Sequence, residues 1–166
     1  MNDIASFFAQ SGEGGQPRTL RLKIIRPVFE SIIIHEDATL YLPDAPLKSS
    51  STVFNLFRFL QQEAKECLFA LHVNSKNKLL CVELVSVGSL NASIVHPREV
   101  FKSALLSNAA SMILVHNHPS GDPAPSRGDH DITKRLKEGA ELLGIRLLDH
   151  IIIGDNYYSF ADAGSL

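Results

Sequence analysis

The stretch SMILVHNHPSGDPAPSRGD, residues 111–129, decides the fold. Its first part, SMILVH, is a short apolar run that reads as a buried strand of a sheet. Residues two apart on a strand share a face, so His116 and His118 project together from its end. Pro119, Gly121, Pro123 and Pro125 then stiffen and steer the connection. Ser126 has the chemistry of a helix N-cap, and SRGD reads as a capping box with Asp129 in place of the usual glutamate. The helix it opens runs from Ser126 to about Leu143. Asp129 shares a helical face with Ile132, Leu136, Ala140 and Leu143, so its carboxylate is aimed at the sheet, where it needs a partner.

Working outward, Gly144 is a natural helix stop, RLLDHIIIG reads as a further strand, and NYYSF as a last edge strand. Upstream, Pro97 suits the first turn of a helix reaching about Ala110, with Val100, Phe101, Ala104 and Leu105 facing inward. CLFALHV and LLCVELVSVG flank the polar turn NSKNK as an antiparallel pair, the first of them buried on both faces. ASIV adds a short strand. In TVFNLFRFLQQEAK, Val53, Leu56, Phe57 and Leu60 fall on one helical face, with a serine at 50 or 51 as cap. Two or three short strands, around Leu20–Ile24, SIIIH and TLYLP, precede residue 43. The expected fold is α/β, a mixed central β-sheet flanked by helices. Three segments follow: a polar, glycine-rich tail over 1–17, a short-strand extension over 18–45, and the main domain over 46–166. GEGG in the tail precedes no strand-turn-helix unit and reads as linker, not as a phosphate loop.

A chain of 166 residues suits one domain with some additional chain. With 16 Lys+Arg against 18 Asp+Glu, the net charge of -2 offers no general attraction to nucleic acid. Cys67 and Cys81 lie in apolar runs without CxxC spacing and read as reduced core residues, neither disulfide nor thiolate metal site. No run approaches the roughly 20 apolar residues that cross a bilayer, and the N-terminus lacks the marks of a secretory signal. A cytoplasmic protein without membrane association is expected.

Two imidazoles on one strand face and an inward carboxylate make a zinc-compatible ligand set, His116, His118 and Asp129. Three protein ligands leave a fourth position for water, the arrangement of a catalytic site. Metal ions acidify water for attack on a carbonyl, and a neighbouring carboxylate serves as proton shuttle. Glu66 and Glu83 are the candidates. Glu66 stands at the start of the central strand CLFALHV and is slightly favoured, while alternation in LLCVELVSV can turn Glu83 toward solvent. Asp149 and His150 either support the metal ligands from behind or make a buried structural hydrogen bond. His96 and His130 read as structural or surface residues, and His35 and His72 belong to no constellation.

The spacing His116-x-His118-Pro119, seven residues to Ser126 and two more to Asp129, is similar to the JAMM motif of the JAB/MPN metalloproteases, whose fold resembles that of cytidine deaminases. More narrowly, VHPREVFKSAL, HNHPSGDPAPSRGD and LLDHIIIG resemble the RadC family, historically labelled DNA-repair proteins. The resemblance spans about residues 50–166. It implies Zn2+ held by His116, His118 and Asp129, Glu66 binding and deprotonating the water, and Ser126 stabilising the oxyanion. The implied activity is hydrolysis of peptide or isopeptide bonds in a peptide or protein substrate. The family label adds a second reading, a DNA-transaction accessory with a structural or vestigial zinc site. Against it stands the expectation that residues 1 to about 45 form no helix-hairpin-helix region. A nuclease or deaminase is disfavoured, because the letters HNH are not the long HNH-nuclease pattern and the HxE and PCxxC signature is missing.

Overall fold

The computed structural model describes residues 28–30, 46–88 and 95–166. The tail over 1–17, the strands expected around Leu20–Ile24, SIIIH and TLYLP, and most of ASIV lie outside the described residues. In chain order the elements are α1 (Ser50–Leu56), a 3-10 turn (Arg58–Gln62), β1 (Cys67–Val73), β2 (Leu79–Val87), α2 (Pro97–Leu106), β3 (Ser111–Asn117), α3 (Arg127–Leu142), β4 (Arg146–Ile153) and β5 (Tyr157–Ser159). The strands form one mixed sheet in the order β2-β1-β3-β4-β5. β3 runs antiparallel to β1 and parallel to β4, with α3 as the crossover between β3 and β4.

Every residue of β3 is buried, as its unbroken apolar run requires of a strand covered on both faces. One face of the sheet, through Leu68, Ala70, Met112 and Leu114, packs under Val100, Phe101 and Ala104 of α2 and Ile132, Leu136 and Ala140 of α3. The opposite face, through Leu71, Ile113, Val115, Ile151 and Ile153, packs on Val53 of α1 and on Phe57 and Leu60. Among the described residues three helices thus flank a five-stranded sheet, the expected fold class.

Local readings differ in several places. The cap of α1 is Ser49, whose extended backbone lets its hydroxyl accept from Thr52 N–H, while Ser50 is already helical and its hydroxyl reaches Asp162 and Tyr157. The expected long helix tightens after Leu56 into the 3-10 turn, which keeps Phe57 and Leu60 under the sheet and turns Phe59 outward. α2 stops at Leu106, because Asn108 enters the left-handed region, and Leu105 faces solvent rather than the core. Leu143 is likewise exposed as the C-cap of α3, and Ile145 is the buried residue beyond it. In β2 the alternation runs opposite to expectation. Leu80, Val82 and Leu84 are exposed, whereas Glu83 faces α2 and accepts a hydrogen bond from Ser103.

Candidate metal centre

The centre stands where β3 ends. In the antiparallel register Leu68 pairs with His116, so the start of β1 lies beside the end of β3 and brings Glu66 to the same sheet edge. Ser126 caps α3 by accepting from Asp129 N–H, and the Asp129 carboxylate accepts in return from Ser126 N–H, completing the capping box expected from SRGD. This reciprocal pair aims the buried Asp129 carboxylate at the histidines. Its Oδ1 lies 3.2 Å from His116 Nε2 and its Oδ2 3.4 Å from His118 Nε2. The two Nε2 atoms are 3.1 Å apart, and one ligand atom from each residue fits within a 4.8 Å group.

The far sides of both rings are occupied. His118 Nδ1 is 2.7 Å from the Asp122 carbonyl, an acceptor only, so the Nδ1 proton is donated there and Nε2 is the nitrogen turned inward, with a lone pair to offer when the ring is neutral. His116 Nδ1 is 2.8 Å from His150 Nε2. Burial pushes the pKa of His116 below the ordinary histidine range and that of His150 well below it. His118 is raised, chiefly by its contact with Asp129. Burial alone lifts the Asp129 carboxyl, but the contacts with His116, His118 and Ser126 outweigh it and hold the group far below the usual carboxylate range. Two imidazole nitrogens facing each other beside an ionised, buried carboxylate form a donor set that fits a cation.

A family model for the RadC-like JAB domain matches residues 47–165. The chain belongs to that family. It is 54% identical over 124 residues to a UPF0758 protein of Methanosarcina mazei, covering 74% of this chain and 54% of that one. To a UPF0758 protein of Methanosarcina acetivorans it is 60% identical over 106 residues, covering 63% and 46%. To one of Bacillus licheniformis it is 52% identical over 127 residues, covering 76% and 55%. The chain spans about half the length of the curated relatives it matches.

In this RadC-like JAB domain Glu66 is half-buried and close enough to influence His116 and His118 electrostatically. It lines an open groove of about 430 Å³ with Ala64, Lys65, Val87, Gly88 and Pro119. Glu83 is displaced along the sheet, paired with Ala70, and serves the cluster under α2 instead. That cluster also contains His72, whose Nε2 is 2.9 Å from Ser103 Oγ, so His72 does belong to a constellation, contrary to expectation. Asp149 and His150 diverge. The Asp149 carboxylate accepts from Ser159 Oγ, Ala161 N and His150 N, while the His150 side chain goes to the centre. His96 and His130 are exposed, as expected, and His35 lies outside the described residues. Cys67 is buried, Cys81 is only half-buried, and both are free.

Sequence reasoning missed Asn117 and Thr133. Asn117, between the histidines, points to the opposite face, where its Oδ1 accepts from Cys67 N–H at 2.8 Å and its Nδ2 donates to the Lys65 carbonyl at 3.1 Å. It clamps the backbone on both sides of Glu66. A buried asparagine at a strand end was the available signal, since such a side chain must find partners. Thr133 lies one turn after Asp129 on α3, and its hydroxyl is 2.6 Å from His150 Nδ1. No helix in the described residues is long and apolar enough to cross a membrane.

Proposed function

We propose that the centre is that of a zinc-dependent hydrolase of peptide or isopeptide bonds, with His116, His118 and Asp129 as the metal ligands. The carrying observation is the convergence of two inward Nε2 atoms and an ionised carboxylate within 4.8 Å, beside a groove lined by a further carboxylate. When bound, the ion supplies an electrophile that polarises a carbonyl and acidifies water. Glu66 holds the attacking water, takes its proton and returns it to the leaving amine. Asn117 keeps Glu66 in place through the backbone of Lys65 and Cys67. The Ser126 hydroxyl donates to Asp129 Oδ2 at 2.6 Å; rotated about its side-chain bond, it donates to the developing oxyanion, while Ser126 N–H continues to hold the carboxylate. The groove is of a size for part of an extended peptide or protein substrate. Two free cysteines suit a reducing, cytoplasmic compartment.

Zinc stoichiometry and cleavage of peptide and isopeptide libraries, with and without chelator, test this reading. Glu66→Gln is expected to retain zinc and lose roughly 10²- to 10⁴-fold in turnover. Undiminished turnover in that variant would remove Glu66 from the role. A wild-type chain that takes up no divalent ion would remove the hydrolase reading altogether.

A further inference from the structure

Behind His116 lies a buried chain of hydrogen bonds whose protons can be ordered one by one. The Thr133 hydroxyl is in hydrogen-bond contact with the Asp129 carbonyl one turn earlier on α3. Two oxygens that close need a proton between them, and only the threonine has one to give. The same hydroxyl lies 2.6 Å from His150 Nδ1, so with its proton already donated it must accept there, and Nδ1 of His150 carries the hydrogen. His150 is fully buried and its side-chain partners are a hydroxyl and another imidazole, not a carboxylate, which is the setting of a neutral ring; with its one N–H on Nδ1, Nε2 is left as an acceptor. His116 Nδ1, 2.8 Å away, is therefore the donor, and the remaining lone pair of His116 is on Nε2, facing Asp129 and His118.

We infer that Thr133 and His150 are positioning residues that lock His116 in its Nδ1–H tautomer and so present its Nε2 lone pair to the centre. The surroundings hold the relay in one orientation. His150 and Thr133 are buried, and Phe160 stacks on the His150 ring at 5.2 Å with the planes 12° apart, covering one of its faces. His118 reaches the same state by a different route, through a carbonyl in its own loop. The consequence for metal affinity rests on the hydrolase reading above, but the tautomer assignment does not.

Ring ¹⁵N shifts and two-bond ¹H–¹⁵N couplings of the metal-free full chain, at neutral to mildly alkaline pH, read the tautomers directly. Nδ1–H is expected on both His116 and His150. Thr133→Val removes the acceptor with little change of volume; it is expected to shift His150 and His116 toward Nε2–H and to weaken zinc binding, measured by chelator competition, by roughly 10- to 100-fold. Thr133→Ser is expected to restore both. His150→Gln, with a carbonyl for His116 and an amide for Thr133, is expected to retain more affinity than His150→Leu. An Nε2–H tautomer on His116 in the wild type would overturn the inference, as would a folded Thr133→Val with unchanged ring shifts. Wild-type protein showing the expected tautomers but binding no divalent ion would sustain the relay and overturn the hydrolase reading.

Discussion

Asp129 and Asp149 are both buried acids beside histidines, yet their surroundings push them in opposite directions. Asp129 faces two rings and is held ionised, whereas burial outweighs the hydrogen bonds around Asp149 and raises its pKa. A raised carboxyl in the folded state means that its stabilising contribution is present at low pH and lost as pH rises through the folded value. Asp149→Asn should therefore stay within about 1 kcal/mol of wild type, because the amide oxygen keeps the His150 and Ala161 N–H donors and the amide nitrogen can donate to Ser159. Its standing relative to wild type should improve from acidic to neutral pH. Asp149→Ala, which strands those donors, should cost about 3 kcal/mol. Urea unfolding of the three proteins at two pH values checks this. At this scale His116, His118 and Asp129 were legible because strand and helix periods alone fix where they point. His150 was legible only as one of two open readings, and Thr133 was not: they meet only through the β3–β4 register and the seating of α3, which no local period encodes.

The loop from His118 to Ser126 is seated against the turn after β4. His118 N–H donates to the Ile153 carbonyl, Asp155 N–H to the Gly121 carbonyl, and Gly121 adopts φ +83°. A side chain on Gly154 would place its Cβ 2.2 Å from Gly121 O and 2.8 Å from Pro123 N, so Gly154→Ala must displace the loop that carries the Asp122 carbonyl. It should weaken metal binding about tenfold and cost about 1–3 kcal/mol. Gly144→Ala is the contrasting case. Gly144 has φ +70° but open space around its Cβ position, so that substitution should cost about 1 kcal/mol of backbone strain and leave metal affinity unchanged. Chelator competition beside urea unfolding separates the two effects. Element identities were legible here, and their ends less so. Proline, glycine and the capping box announced the loop and the start of α3, but the stops at Leu56 and Leu106 depend on how Phe57 and Asn108 meet the rest of the fold.

On the scale of the whole molecule, an ion bound only by the folded chain stabilises it by mass action. At a hundredfold excess over Kd that is about 2.7 kcal/mol. Zinc should raise Tm by on the order of 5–10 °C and chelator should reverse the rise. Asp129→Asn should abolish the response, which a thermal melt of both proteins with and without zinc measures; an equal shift in the variant would place the ion elsewhere. The α/β class was legible from alternating apolar runs and amphipathic stretches. The orientation of β2 was not, because its alternation is equally apolar on both readings and only the seating of α2 selects the face carrying Glu83. The ligand residues and their relay all come from β3, α3, β4 and the loops joining them, whereas Glu66 arrives from β1 on the other side of β3. On the proposed hydrolase reading, ion retention and bond cleavage are thereby divisible by inheritance as well as by mutation. A descendant that lost the acid at position 66 would keep an intact ion-holding scaffold, free to be selected for recognition without turnover.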